Sequence, residues 1–360
     1  MTRFTLRQFR TQGAVAVGAL IVVAIVALIT GIHLVHVYDS TVGDCAKYDD
    51  CSTASSTFLL NDLPFLGVLA NALVLVVPGL IGIFWGAPLV ARELEVGTFR
   101  LAWTQSVTRT RWLAVKLAVV GLASMATAGL LSLMVTWWSS PIDRVNLNMF
   151  SNFDQRDLAP IGYAAFAFAL GTTAGVLIRR TVPAMAATLV AFVTTQLLMY
   201  HFALPWIITP LQRTYPLAFG STVSGYGQMN QGQPNLFPGA PDISNAWIFS
   251  TNIVDKGGQA LTSGYLQRVC PLLGSSLGGS APPPAKSNGG VAVPVGPAPA
   301  GAMTVLKDCV SKVGTTYHEL VTYQPPGHYW PLQWIVLGIY LAAALALAGL
   351  SYWWIRHRSA

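Results

Sequence analysis

The chain has 360 residues, of which 53% are hydrophobic and only 10% charged, with a mean hydropathy of +0.53 and a formal net charge of +7. Soluble domains carry about 25% charged residues, so a chain this apolar cannot cover itself in water and must be solvated in large part by lipid. The positive balance therefore speaks less for nucleic acid than for the distribution of arginine and lysine across a membrane.

The chain opens with MTRFTLRQFR, in which Arg3, Arg7 and Arg10 recur at i, i+4, i+7 on one helical stripe. The stripe suits a short interfacial helix over residues 1–13 with its arginines at anionic headgroups. It suits equally a charged flank that only sets topology. The first span follows at Ala14–Val35. Its apolar core is too long for a signal-peptide h-region, and no small-x-small cleavage site follows it. Runs of bilayer-crossing length, about 20 mostly apolar residues, recur at Phe65–Val90, Trp112–Trp138, Leu158–Ile178, Val182–Leu204 and Trp330–Ile355. The expected fold class is an all-α membrane protein with six transmembrane helices.

The connections differ in character. His36–Pro64 is polar and acidic, with an Asp44, Asp49, Asp50 cluster that lacks EF-hand spacing and reads as a solvated loop. The loop between the third and fourth spans is polar and short, and Arg179-Arg180 mark a tight turn before the fifth span. Residues 205–329 form the largest non-membrane part. PWIITPLQRTYPLAFG, at its start, is too short and proline-broken to span and reads as a candidate re-entrant segment. A Gly/Pro/Ser/Ala insert at about 271–303 is low in complexity and expected to be mobile. The flanking SGYLQRVCPLL and MTVLKDCVSKV read as short helices. Residues 330–360 hold the sixth span and a tail.

Placing both termini in the cytoplasm puts Arg3, Arg7, Arg10, Arg92, Arg100, Arg109, Arg111, Lys116, Arg179, Arg180, Arg356 and Arg358 on the inner side, all in short segments. Of the acidic residues only Glu93 and Glu95 join them. That is the bias of a multi-pass plasma-membrane protein with N-in/C-in topology. Residues 205–329 then form a large outer loop domain. Cys45, Cys51, Cys270 and Cys309 all fall in outer loops, facing an oxidising space. Local bridges Cys45–Cys51 and Cys270–Cys309 are expected, against the alternative of unpaired or cross-paired thiols. No metal site is expected, since the zinc-finger spacing is absent.

Catalytic signatures are missing: the sequence contains no G-x-x-x-x-G-K-[ST] loop, and His318-Glu319 begins an H-E-x-x-H that fails at Thr322. The chain is not expected to be an enzyme. Lys116, one turn into the third span, can snorkel to the inner interface. The spans otherwise hold almost no ionisable group of the kind an ion-driven carrier needs, so energy must enter from elsewhere. Asn71, Thr194, Thr195 and Gln196 could line a substrate path or serve as helix–helix hydrogen bonds.

The segment at residues 91–111, and on to Lys116, reads ARELEVGTFRLAWTQSVTRTRWLAVK. Charges at mid-bilayer cost about 2.5–3.5 kcal/mol each, which keeps the segment in the cytosol. The second span continues through ARELEV, Gly97 can end it in a left-handed conformation, Thr98 can cap a short helix, and Thr108 can cap the third span. The pattern ELEVGTFRL followed by SVTRTRWLAVK resembles the permease signature of type-2 ABC exporters, through Glu93, Glu95, Gly97, Thr98, Leu101, Val107, Thr108, Arg109 and Lys116. It is similar to actinobacterial permeases in particular. Ser106 stands where the family's turn has proline.

The resemblance implies a cytoplasmic coupling helix between spans two and three that docks on a separate ABC ATP-binding subunit. Arg92, Glu93, Glu95, Gly97, Thr98, Arg100, Leu101 and Arg109 would form the coupling set, with Glu93, Glu95 and Arg100 contacting or orienting the partner. It further implies a second permease copy, in a homo- or heterodimer, within membrane lipids and without nucleic acid. No cofactor would be bound by this chain; ATP and Mg would sit on the partner ATPase. The expected function is export of a substrate by such a complex. The alternative is a non-transporting membrane anchor or sensor that binds a ligand outside and recruits a cytosolic partner.

Overall fold

The computed structural model of the chain describes residues 2–40, 74–96, 108–146, 149–220, 222–229, 233–239, 241, 243, 245–271 and 302–358. They form two compact units, one of residues Met1–Ile208 with Gly327–Ala360, the other Thr209–Pro326.

The first unit is a helical bundle. Among the described residues six helices are long and apolar enough to cross a membrane: Gly13–Tyr38, Val74–Glu93, Thr110–Ser140, Ala159–Ile178, Thr181–Trp206 and Pro326–His357. They are called spans one to six below. Span one belongs to a continuous helix, Thr2–Tyr38. No break at residue 13 divides off the separate interfacial helix expected from the arginine stripe. The stretch holds no proline, and a single interior glycine costs only about 1 kcal/mol, so nothing there stops the helix. The third helix likewise runs on past the expected Trp138, from Arg109 to Asn146.

Span four is the axis of the bundle: 78% of its apolar window is buried, against 6% for span one and 17% for span five. In lipid there is no hydrophobic gain from pressing two greasy helices together, so association relies on close packing at small residues. Span four supplies them in GTTAG. A Cβ added at Gly171 would overlap the carbonyl oxygen of Gly82, and one at Gly175 would lie 2.6 Å from that of Ala87. In return, a Cβ at Gly82 or Gly86 would lie 2.6 Å from the carbonyl oxygen of Ala167 or Phe168. The contact coincides with a π-helical turn, Gly82–Gly86, closed by the Ala87 N–H donating to the Gly82 carbonyl. Spans two and four thus meet backbone to backbone.

At one end of the bundle polar side chains fasten span six to span four. Gln333, fully buried, accepts from the N–H groups of Leu158 (3.2 Å) and Ala159 (2.9 Å) and donates to the Phe153 carbonyl (2.9 Å). It caps span four from another helix. Tyr329 accepts from Arg156 Nε at 3.1 Å and donates to Asp157, its ring packed edge-on against Phe150 and Phe153. Trp137, Tyr200, Phe202, Trp206, Trp330 and Trp334 are exposed at this end, the placement of an interfacial aromatic belt.

The second unit departs from an all-α reading. It holds strands β1 (Leu211–Pro216), β2 (Val223–Met229), β3 (Gln233–Pro238), β4 (Trp247–Asp255) and β5 (Tyr317–Gln324). The antiparallel order is β1-β5-β4, with β2-β3 as a separate hairpin. YHELVTYQ alternates, burying Tyr317, Glu319, Val321 and Tyr323, the period-two pattern of a strand. Leu211–Pro216, expected to be part of a re-entrant segment, is instead an edge strand paired along its whole length with β5. Helices Ser263–Val269 and Ala302–Val313 contribute Leu266, Leu306, Val310 and Val313 to one core with Leu217, Val223, Leu236 and Ile253. Cys270 and Cys309 join them in a disulfide, Cα–Cα 5.5 Å. Cys45, Cys51 and most of the low-complexity insert lie outside the described residues.

Glu319 is buried in the central strand opposite Tyr215 of β1 and Ile253 of β4, and neither carboxylate oxygen has a hydrogen-bond donor among the described residues. Burial without compensation disfavours the charged form and pushes its pKa up to about 7. The folded unit therefore holds a proton that the unfolded chain releases in the ordinary carboxylate range. The stabilisation is full below that range and is lost as pH rises through about 7.

Two outcomes are expected. Thermal proteolysis of the full chain, read at peptides from residues 209–326, should show this unit melting several degrees lower at pH 8 than at pH 5, with Glu319→Gln flattening the difference. In the bundle, Gly171→Ala should destabilise by about 1–3 kcal/mol through overpacking, measured by thermal unfolding in detergent. Gly349→Ala, where no atom lies within 4 Å of the added Cβ, should be close to neutral.

Candidate functional site

Span two ends in the helix Ala87–Val96, sequence APLVARELEV. At 100° per residue, positions four apart share a stripe, and positions two apart point in nearly opposite directions, about 200° around the axis. Ala87, Ala91 and Glu95 make one stripe; Leu89 and Glu93 make another. The two glutamates of ELE consequently leave the helix on different sides.

The first stripe faces spans four and five. Ala87 and Ala91 are fully buried and pack with Ala184 of span five, while Gly175 of span four lets the backbones touch. One turn on, Glu95 reaches the start of span five. Its Oε2 accepts from the Thr181 N–H at 3.1 Å and the Thr181 hydroxyl at 2.7 Å. Those two bonds, with the charge of Arg180, hold the Glu95 carboxyl below the usual carboxylate range.

The second stripe faces span three. Glu93 forms an ion pair with Lys116, whose ammonium also lies 3.5 Å from the Leu89 carbonyl and 4.5 Å from the centre of the Trp112 ring. Lys116 is only 2% exposed, so it does not snorkel to the interface as its position suggested. A charge-assisted hydrogen bond and an aromatic face offset its desolvation. Val90, Trp112, Leu113, Val176 and Ile355 close an apolar cluster around the pair, from spans two, three, four and six.

Span three begins as expected. Thr108 caps it, its hydroxyl accepting from the Arg111 N–H at 3.4 Å and its carbonyl from the Trp112 N–H at 3.1 Å. Span four ends at Arg179 in the left-handed conformation, φ 59°. Arg92, Arg111, Arg179, Arg180 and Arg356 are all exposed at this end of the bundle. Glu93 is taken up by Lys116, while Glu95 is exposed and bonds Thr181 through Oε2 alone; among the described residues the accessible charge at this end is mainly cationic.

The remaining expected residues fall as follows. Gly97, Thr98, Arg100 and Leu101 lie outside the described residues, as does Asn71; Arg109 begins its helix, with a side chain that is not described. Thr194 is exposed on span five, and Thr195 donates to the Ala191 carbonyl of its own helix at 2.8 Å. Gln196 accepts from Tyr340 of span six at 2.7 Å, a helix–helix bond. Among the described residues no three His, Cys, Asp or Glu side chains gather to hold a metal ion. Sequence reasoning missed Thr181 and the partnership of Lys116. Lys116 had left a signal, since it and Glu93 both belong to the quoted permease pattern.

Breaking one side of a buried ion pair strands the other charge, at about 3–5 kcal/mol, whereas an apolar replacement of both can be nearly neutral. Lys116→Met should therefore lower the unfolding temperature in detergent markedly, and adding Glu93→Leu should recover most of it. An additive double mutant would show that the pair is not coupled.

A model of the family described as ABC-2 membrane transporter related matches residues 17–203, spans one to five and all the glutamate contacts above. No curated protein matches, and no solved structure does.

Proposed function

Because the chain belongs to the ABC-2 membrane transporter related family, we propose that it is the permease subunit of an ATP-driven exporter, energised by a separate ATP-binding subunit. The observation that carries this reading is the anchoring of Ala87–Val96. The tip of span two is fastened on one face to span three through Glu93–Lys116 and on another to span five through Glu95–Thr181. A force applied to the segment that follows Val96 therefore reaches two further spans directly. The sequence offers no phosphate-binding loop of its own, so ATP and Mg belong to the partner.

In this reading the arginine-rich end faces the cytoplasm of a plasma-membrane protein, following the bias of basic residues to that side. Gly97, Thr98, Arg100 and Leu101 form the docking segment with Arg92 and Arg109. Glu93 and Glu95 orient it from within the chain. A second permease copy completes the path for substrate, and the unit Thr209–Pro326 lies outside the cell.

The test uses the chain co-expressed in turn with the P-loop ATP-binding subunits of its own genome, screened for one that co-purifies. Replacing Gly97–Val107 by a glycine–serine linker of equal length should abolish co-purification of the ATPase while membrane insertion and thermal stability of the permease persist. Undiminished binding would overturn the docking assignment. Vesicles containing the complex should show ATP-dependent substrate movement; ligand binding without movement would favour the anchor or sensor reading.

A further inference from the structure

Span five lacks a cap of its own. Its N-cap residue is Arg180, whose side chain makes no capping hydrogen bond. Helix starts leave backbone N–H groups unpaired, and a short polar N-cap side chain ordinarily takes one. Here the acceptor comes from another helix, 86 residues away in sequence: Glu95 takes both the N–H and the hydroxyl of Thr181, the first residue of the span. Its negative charge also sits at the positive end of the helix dipole. One turn deeper, Ala184 packs on Ala87 and Ala91. The turn that precedes Thr181 starts from Gly175, in backbone contact with Ala87, and passes through the left-handed Arg179.

We propose that Glu95 and Thr181 are positioning residues for transport, coupling the start of span five to the tip of span two so that both move as one body when the partner ATPase acts. The inference rests on the exporter reading above and sharpens it: of the two spans reached, span five moves together with the tip of span two. The two attachments of Ala87–Val96 differ in length. The one toward span five is short: an exposed carboxylate on two adjacent donors, above the close packing of Ala87 and Ala91 on Ala184. The one toward span three runs through the longer side chain of Lys116, buried against Trp112. Span five is the element left free to follow, since most of its apolar window is not buried within the unit.

Hydrogen exchange on the purified permease–ATPase complex tests this, comparing the nucleotide-free state with one trapped by ATP and vanadate. In the wild type, peptides covering Arg109–Val120 and Ile178–Val190 should both respond to trapping. In Thr181→Val the response of Arg109–Val120 should persist and that of Ile178–Val190 should be lost, with Thr181→Ser restoring it; ATP hydrolysis should continue throughout. A merely structural cap would raise basal exchange in Thr181→Val and leave the nucleotide response in place, which would overturn the proposal. Should Thr181→Val fail to fold, Thr181→Ala reads the same comparison. If neither wild-type peptide responds while the ATPase turns over, the exporter reading fails, and the proposal with it.

Discussion

Backbone contact between spans two and four is the constraint on which the rest of the bundle depends. In water a helix pair can be held by apolar side chains of many shapes; in lipid those side chains are as well solvated apart as together. Gly82, Gly86, Gly171 and Gly175 remove the side chains and bring carbonyl and amide groups into contact. Once span two lies that close to span four, the alanines at its end are placed against span five, and Glu95 comes within reach of Thr181. The polar site at the arginine-rich end follows from a stripe of missing methyl groups several turns away.

The ends of the spans obey a second rule. An unpaired N–H or carbonyl is expensive wherever water is scarce, and this chain repeatedly satisfies helix ends from a different helix. Gln333 of span six caps span four, and Glu95 at the end of span two caps span five. Each such cap does two jobs, stabilising one helix and fixing its position relative to another. Thr108, which caps its own helix, does only the first. That distinction separates residues that make a helix from residues that make an assembly.

Much of this was legible in the sequence, and what was not has two causes. The six spans could be read because about 20 apolar residues in a row have one economical use, and the Thr108 cap because it is local. The Cys270–Cys309 bridge was reached by placing the thiols in one loop. The sheet of the second unit was missed although YHELVTYQ carries its alternation, because the helical flanks around the cysteines drew the reading. Glu93–Lys116 and Glu95–Thr181 join residues 23 and 86 positions apart. No periodicity within one helix reports on such pairs; only the packing of span two on its neighbours brings them together.

The spacing of the acidic pair now has a reason. Two glutamates at i and i+4 would share a face and fasten the helix to one neighbour. At i and i+2 they leave in nearly opposite directions, so a single turn can grip two neighbours at once. Glu93 is thereby taken up within the chain, and the exposed charges left at this end are, among the described residues, Glu95 and a larger set of arginines at positions 92, 111, 179, 180 and 356. A surface of that sign favours an acidic counterpart or anionic headgroups. In the exporter reading, recognition falls mainly to the exposed arginines and transmission to the glutamates bonded within the chain. A substitution at Glu93 that weakened partner binding would then act through the placement of the segment, not through a lost contact.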